Sequence, residues 1–184
     1  MEKRPLPERI EGGRVVLKKH ALEEAERMFA NVDRDRQRLR QFLPWVDSVK
    51  SVDDERAYIE STIDKWAGFD YFDFGIFRVG DAVYLGNAGV HSIAWSDDRC
   101  EIGYWLLGDF ERQGFMSETV ALLERACFAI GFHRVEIRCS SLNLRSANLP
   151  RRNGYHLDGL LRQDAVENGG YRDTLVFSKL RSDG

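Results

Sequence analysis

The stretch Glu101-Ile-Gly-Tyr-Trp-Leu-Leu107 is β-favouring and mostly apolar, and it runs through Gly108-Asp109 into the turn Arg112-Gln113-Gly114-Phe115-Met116-Ser117. That composition predicts a strand over 101–107, buried on both faces. From Met116 the apolar positions Val120, Leu123, Cys127 and Ile130 recur at spacings of four and three, up to Gly131, which stands where a helix C-cap belongs. Val135, Ile137 and Cys139 then alternate with Glu136, Arg138 and Ser140, the pattern of a half-buried strand. One long helix between two strands is a crossover, so the strands must be parallel neighbours. The unit commits the chain to a mixed α/β sheet with a parallel pair and flanking helices.

The rest of the chain supplies what such a sheet needs. Arg14–Lys18 reads as a first strand, Ala21–Asn31 as a helix, and a second helix runs through Leu39 and Phe42 and stops at Pro44. Arg34, Arg36, Arg38 and Arg40 read as a solvated face of that helix. Ser51, with Asp54 three residues on, opens another helix in a capping-box-like arrangement and carries it to about Trp66. An antiparallel meander follows: Phe74–Val79, Val83–Trp95 and Glu101–Leu107, with Gly86 and Gly89 suggesting a bulge in the middle strand. After 135–140 come a short helix up to Asn153-Gly154, a loop holding Glu167-Asn-Gly-Gly170, and a last strand, Tyr171–Leu180.

Composition sets the outer limits. With 184 residues, 43% hydrophobic and 31% charged, the chain suits one domain over 1–184. No apolar run is long enough for a membrane span and the charged N-terminus is unlike a signal peptide, so a cytoplasmic protein is expected. A net charge of −3 argues against bulk nucleic acid as partner. Cys100, Cys127 and Cys139 lack metal-ligand spacing and read as free thiols, so no metal is expected.

Chemistry concentrates at the ends of the parallel strands. The helix start at Arg112–Ser117 offers unsatisfied backbone N–H groups to phosphate, Gly114 lets a ligand approach the main chain, and Arg112 adds charge. An ordinary strand-to-helix turn would look the same. Asn143 and Ser146 follow the second parallel strand, at the strand ends where α/β sheets bind ligands, although helix capping is their commoner role. Glu101 and His91 should be neighbours across the ladder, either as candidates for proton removal or as ordinary strand residues. Leu43-Pro-Trp45-Val46 puts an aromatic on a connection, either lining a cleft or plugging the core.

Glu111-Arg-Gln-Gly-Phe-Met116 resembles the acyl-CoA loop, Arg/Gln-x-x-Gly-x-Gly/Ala, of the GNAT N-acetyltransferase superfamily. Met116-Ser117-Glu118 and Leu43-Pro-Trp-Val46 resemble its ribosomal-protein N-terminal acetyltransferase branch. Glu111 departs from the pattern and puts charge repulsion beside the phosphates. The resemblance spans about residues 10–180 and implies a GNAT fold using acetyl-CoA. It also implies direct attack by a primary amine: the N-terminus of a ribosomal or other protein, or alternatively a small amine such as an aminoacyl conjugate, polyamine or antibiotic. It assigns cofactor contacts to Leu106, Leu107, Arg112, Gln113, Gly114, Phe115, Met116, Ser117 and Asn143, and acceptor contacts to Trp45 and Tyr104. Ser146 becomes the candidate general acid, because the place seven residues after Asn143, often Tyr in the superfamily, is Pro150. Glu101 and His91, with Asp164 or Glu167 in the following loop, are candidates for the base. Dimers are common in that branch, so a homodimer is admitted. Glu111 and Pro150 also leave open a non-catalytic acyl-CoA-binding sensor.

Overall fold

The computed structural model describes residues 1–167 and 169–183. A mixed sheet of eight strands runs in the order β1-β2-β3-β4-β5-β6-β8-β7. The strands are β1 (Arg9–Glu11), β2 (Val15–Lys19), β3 (Phe72–Arg78), β4 (Tyr84–Ala94), β5 (Arg99–Leu106), β6 (Arg134–Ser140), β7 (His156–Glu167) and β8 (Gly170–Leu180). Four helices accompany them: α1 (Ala25–Leu39), α2 (Val52–Ala67), α3 (Phe115–Ile130) and α4 (Leu144–Arg152). β5 and β6 are parallel, as the crossover through α3 requires, and the other neighbouring pairs are antiparallel.

The two faces of the sheet have different work. Val120, Leu123 and Cys127 of α3 pack with Phe72, Phe74, Ile102 and Ile137 in the main core, where most of these side chains are almost fully buried. Each such side chain contributes about 1.5–3 kcal/mol. On the opposite face α1 and α2 cover Phe77, Tyr84 and Leu107. Alternation along the strands puts Asn87, Gly89 and His91 of β4 on this second face, paired with Trp105, Gly103 and Glu101 of β5.

That face contains a buried polar hub. Asp73 accepts hydrogen bonds from Tyr58 Oη (2.7 Å) and Tyr71 Oη (2.8 Å), and His20 Nε2 lies 3.0 Å from it. Burial works against a charge on His20, but the Asp73 carboxylate, then Glu24, overrides it and raises the pKa to about 9. Because the folded value is raised, the stability His20 supplies is fully present below about pH 6.5 and lost as pH passes 9. Asp73→Asn is expected to destabilise the protein by about 3 kcal/mol and to remove this pH dependence, read from urea midpoints between pH 6 and 10.

Several sequence expectations need correction. Residues 21–42 are not two helices: one 3-10 turn at Leu22–Glu24 leads into a single helix ending at Leu39. β1 and β7 were not expected, and the second replaces the loop proposed before Gly170. β7 is an edge strand exposed along nearly all its length, so it carries no apolar alternation, and its register slips twice, at Leu157/Gly159 and Leu161/Ala165. Gly86 does sit at a bulge, where a Cβ would lie 2.3 Å from the Trp105 carbonyl oxygen, whereas Gly89 pairs regularly. The second slip in β4 falls between His91 and Ala94, with Ser92 at φ 49°. β5 is not buried on both faces: Gly103, Tyr104, Trp105 and Leu106 are only half-buried, because one edge of the strand borders a cleft.

The arginine run is a solvated face only in part: Arg34 and Arg40 are exposed, Arg36 and Arg38 half-buried, and all four are paired. Residues four apart share a side of a helix and residues two apart do not. Arg34 and Arg38 therefore reach the β5–α3 connection, pairing with Asp109 (3.3 Å) and Glu111 (2.6 Å). Arg36 and Arg40 reach the Pro44–Asp47 turn, at the Val46 carbonyl and the Asp47 carboxylate (2.6 Å).

Candidate active site

β5 and β6 pair only at Arg99/Arg134, Cys100/Val135 and Glu101/Glu136, although β5 continues to Leu106 and β6 to Ser140. Beyond Glu101 the parallel strands part. β4 stays paired with β5, and β8 with β6, so the opening is a split in the middle of the sheet. A cleft of about 620 Å3 fills it, walled by both strands, the end of α1, α4 and the first turn of α3.

Eight of the residues singled out from sequence line this cleft: His91, Glu101, Tyr104, Leu106, Arg112, Met116, Asn143 and Ser146. Glu101 stands at the root of the split, its side chain 16% exposed, with Oε1 4.0 Å from His91 Nε2. Burial pushes its carboxyl up to about 7, with Arg138 pulling the other way and Glu136 adding to the rise. Burial also lowers the His91 pKa, against a weaker pull from Asp73, so the ring is neutral at pH 7. A Cβ at Gly103 would lie 2.7 Å from His91 Nε2, so glycine at that position lets the imidazole lie close over β5.

Across the cleft, α4 begins at Asn143, whose Oδ1 accepts from the Ser146 N–H (3.1 Å). Asn143 therefore does cap the helix, and in doing so fixes Ser146 in its first turn. The Tyr104 hydroxyl donates to the Ser146 carbonyl (3.2 Å), and Ser146 Oγ lies 3.4 Å from Tyr104 Oη. Burial, only partly relieved by Ser146, keeps the Tyr104 phenol well above its ordinary pKa, so it stays protonated.

The phosphate-facing end is the start of α3. Gly114 is the N-cap at φ 82°, without a side-chain cap, and the first helical bond is Glu118 N–H to the Gly114 carbonyl at 3.2 Å. The amides of Phe115, Met116 and Ser117 thus precede the first helical bond. An uncapped, left-handed glycine beside Arg112 fits a diphosphate. The side chains nearby do other work. Phe115 is buried under the Arg14 guanidinium, 4.5 Å from its ring centroid. Gln113 Nε2 donates to the Asp109 carbonyl (2.8 Å), and the Ser117 carbonyl accepts from Asn153 Nδ2 (2.8 Å). Leu107 is 1% exposed, and its N–H is taken by the Leu85 carbonyl (2.8 Å). Trp45 stands outside the cleft, stacked at 5.7 Å on Trp105, which does line it.

Trp105, Phe42, Arg138, Cys139, Arg145 and Arg172 line the cleft and were not singled out. Trp105 and Arg138 were findable: alternation places each on the same face as Glu101 or its partner Glu136. Asp164 and Glu167, named as loop acids, belong to β7 instead. Glu167 accepts from Ser140 Oγ (2.9 Å) and pairs with Arg172 (3.1 Å), while Asp164 faces Glu101 only through the field it adds there. Glu111 is held by two arginines, Arg38 and Arg145, at 2.6 and 2.7 Å from its two oxygens.

Comparison with known proteins agrees with this geometry. The ribosomal-protein-serine acetyltransferase of Escherichia coli K12 is 27% identical over 143 residues, covering 77% of this chain and 79% of its own. A solved ribosomal-protein α-N-acetyltransferase in complex with coenzyme A superposes with a TM-score of 0.90 at 24% identity, over 96% of this chain and 100% of that one. A microcin C7 self-immunity acetyltransferase, solved with acetyl-CoA and AMP, gives 0.87 at 22% identity, over 92% and 93%. The acetyltransferase (GNAT) domain model matches residues 14–156, which is most of the sheet together with the split, α3 and α4. The chain therefore belongs to the GNAT acetyltransferase family and is an acetyl-CoA-dependent N-acetyltransferase.

Proposed function

We propose that this enzyme acetylates the N-terminal α-amine of a protein, with ribosomal proteins the leading class, in the cytoplasm. The observation that carries the reading is the split between β5 and β6, with Glu101 at its root and Ser146 on its far wall. Acetyl-CoA, when bound, supplies an acyl group activated as a thioester. The first turn of α3, Gly114 and Arg112 would hold its diphosphate, and Asn143 and Leu106 would flank the arm that runs into the split.

An α-amine with a pKa near 8 is partly neutral at physiological pH, unlike a lysine near 10.4, so a base of modest strength suffices. Glu101, poised near 7, takes the proton as the amine attacks. Neutral His91 beside it positions that carboxylate or bridges to it through water. On the other wall Ser146 delivers a proton to the departing sulfur, with the protonated Tyr104 hydroxyl holding its helix turn in place. The ribosomal-protein acetyltransferases among the relatives support a protein acceptor.

The test is thiol release from acetyl-CoA with peptides beginning in Ser or Ala, against the same peptides blocked at the N-terminus and a panel of small amines. Turnover confined to free N-termini is expected; turnover with small amines alone would overturn the acceptor class. In the same assay Ser146→Ala should lower kcat about 100-fold with little change in the KM for acetyl-CoA. An unchanged kcat would remove Ser146 from the mechanism.

A further inference from the structure

The corner between β5 and α3 is fastened to α1 by charged side chains. Arg38 donates from Nη2 to the Leu106 carbonyl (2.5 Å) and from Nη1 to Glu111 Oε1 (2.6 Å), and it is held in turn by Asp35. Asp35 Oδ2 also accepts from the Gly108 N–H at 2.9 Å. A Cβ at Gly108 would lie 2.8 Å from Arg38 Nε, so the corner closes tightly over the guanidinium. The second oxygen of Glu111 takes Arg145 Nη1 (2.7 Å), from the first turn of α4 on the far side of the cleft.

Glu111 is thus one carboxylate shared between two cations of unlike surroundings. Arg38 is 27% exposed and has four further acceptor contacts, three at Asp35 and one at Leu106. Arg145 is 55% exposed, and Glu111 is its partner among the described residues. Arg145 also lines the cleft beside Asn143 and Arg112, where an incoming phosphate would meet it. A diphosphate, with two negative charges, outcompetes a single carboxylate for an exposed guanidinium, whereas the half-buried, multiply bonded Arg38 stays where it is.

We propose that Glu111 is a positioning residue that serves both substrates with opposite effect: it fixes Arg38 at the end of α1, which leads into the turn carrying Trp45, the expected acceptor contact, and it yields Arg145 to the cofactor's phosphate on binding. The inference rests on the acetyl-CoA site argued above. It gives Glu111 a role where the usual Arg or Gln of the motif would bind phosphate directly.

Glu111→Gln separates the two effects. Calorimetry should show acetyl-CoA binding about three-fold tighter, because Arg145 is no longer neutralised and a negative charge is gone. Steady-state kinetics should show the acceptor peptide's KM raised about ten-fold as the Arg38 corner loosens. A merely structural carboxylate would weaken both substrates together, and that result, or no change in either, would overturn the proposal. Arg145→Gln, exposed and harmless to folding, should weaken acetyl-CoA about ten-fold and leave the acceptor KM alone; unchanged acetyl-CoA affinity would also overturn it. Failure of the wild-type protein to bind acetyl-CoA would instead refute the cofactor site itself.

Discussion

Gly114→Val should abolish acetyl-CoA binding while leaving a folded protein. Two independent features of the position give this result. Its φ of 82° lies in the left-handed region, which a β-branched residue reaches only at a cost of about 1–3 kcal/mol. A Cβ there meets only Arg14 Nη1, at 3.3 Å, the end of a flexible side chain, so the interior of the fold is not disturbed. The added carbons stand instead over the uncapped first turn of α3, where phosphate oxygens must come within about 3 Å of the amides. A loss of at least 100-fold in affinity is expected by calorimetry, with Tm lowered by only a few degrees. Gly114→Ala, with a smaller side chain and the same backbone demand, should fall between the two. Normal affinity in Gly114→Val would move the phosphate site away from α3.

The unit that carries this prediction was legible in the sequence because each of its parts follows a local rule. Apolar spacings of three and four gave α3, Gly131 closed it at φ 125°, and alternation gave β6. Ser51 caps α2 by accepting from the Asp54 N–H at 3.2 Å, as its spacing suggested. Other elements have no such signature. β7 owes its strand form to the hydrogen bonds of β8 rather than to a buried face of its own, so nothing in its residue pattern announces it. The length of the β5–β6 ladder is likewise a tertiary fact, and with it the half-burial of Tyr104 and Trp105. Two misreadings were avoidable. Arginines at spacing two had to point to opposite sides of α1, and acids near so many arginines were bound to find partners, as Asp109 does with Arg34 and Glu111 with Arg38 and Arg145. The sequence exposed the charge on Glu111, and only the fold exposed what it faces.

Glu101→Gln should lower kcat about 100- to 1,000-fold and remove the limb near 7 from the pH–rate profile, the span of effects typical of losing a positioned base. The carboxyl is pushed up to about 7 chiefly by burial at the root of the split, so half of it is protonated at neutral pH. Only the carboxylate can accept the proton that the attacking amine gives up. The wild-type rate should therefore show two overlapping limbs, one from the carboxyl near 7 and one from the acceptor's α-amine near 8: it climbs about ten-fold per pH unit between 7 and 8 and about 100-fold per unit below 7. His91 is the weaker candidate for the limb near 7, because burial lowers its pKa from the ordinary imidazole value. Gln keeps the shape and the contact with β6 but has no proton affinity in this range, so Glu101→Gln should keep only the amine's climb of about ten-fold per pH unit below 8, with acetyl-CoA affinity unchanged. Arg138 supplies the control. Its charge favours the carboxylate, so Arg138→Gln should shift the midpoint of the limb upward without abolishing it. A limb near 7 that survives in Glu101→Gln would take the base away from this residue, and one that moves with His91→Asn would give it to the imidazole.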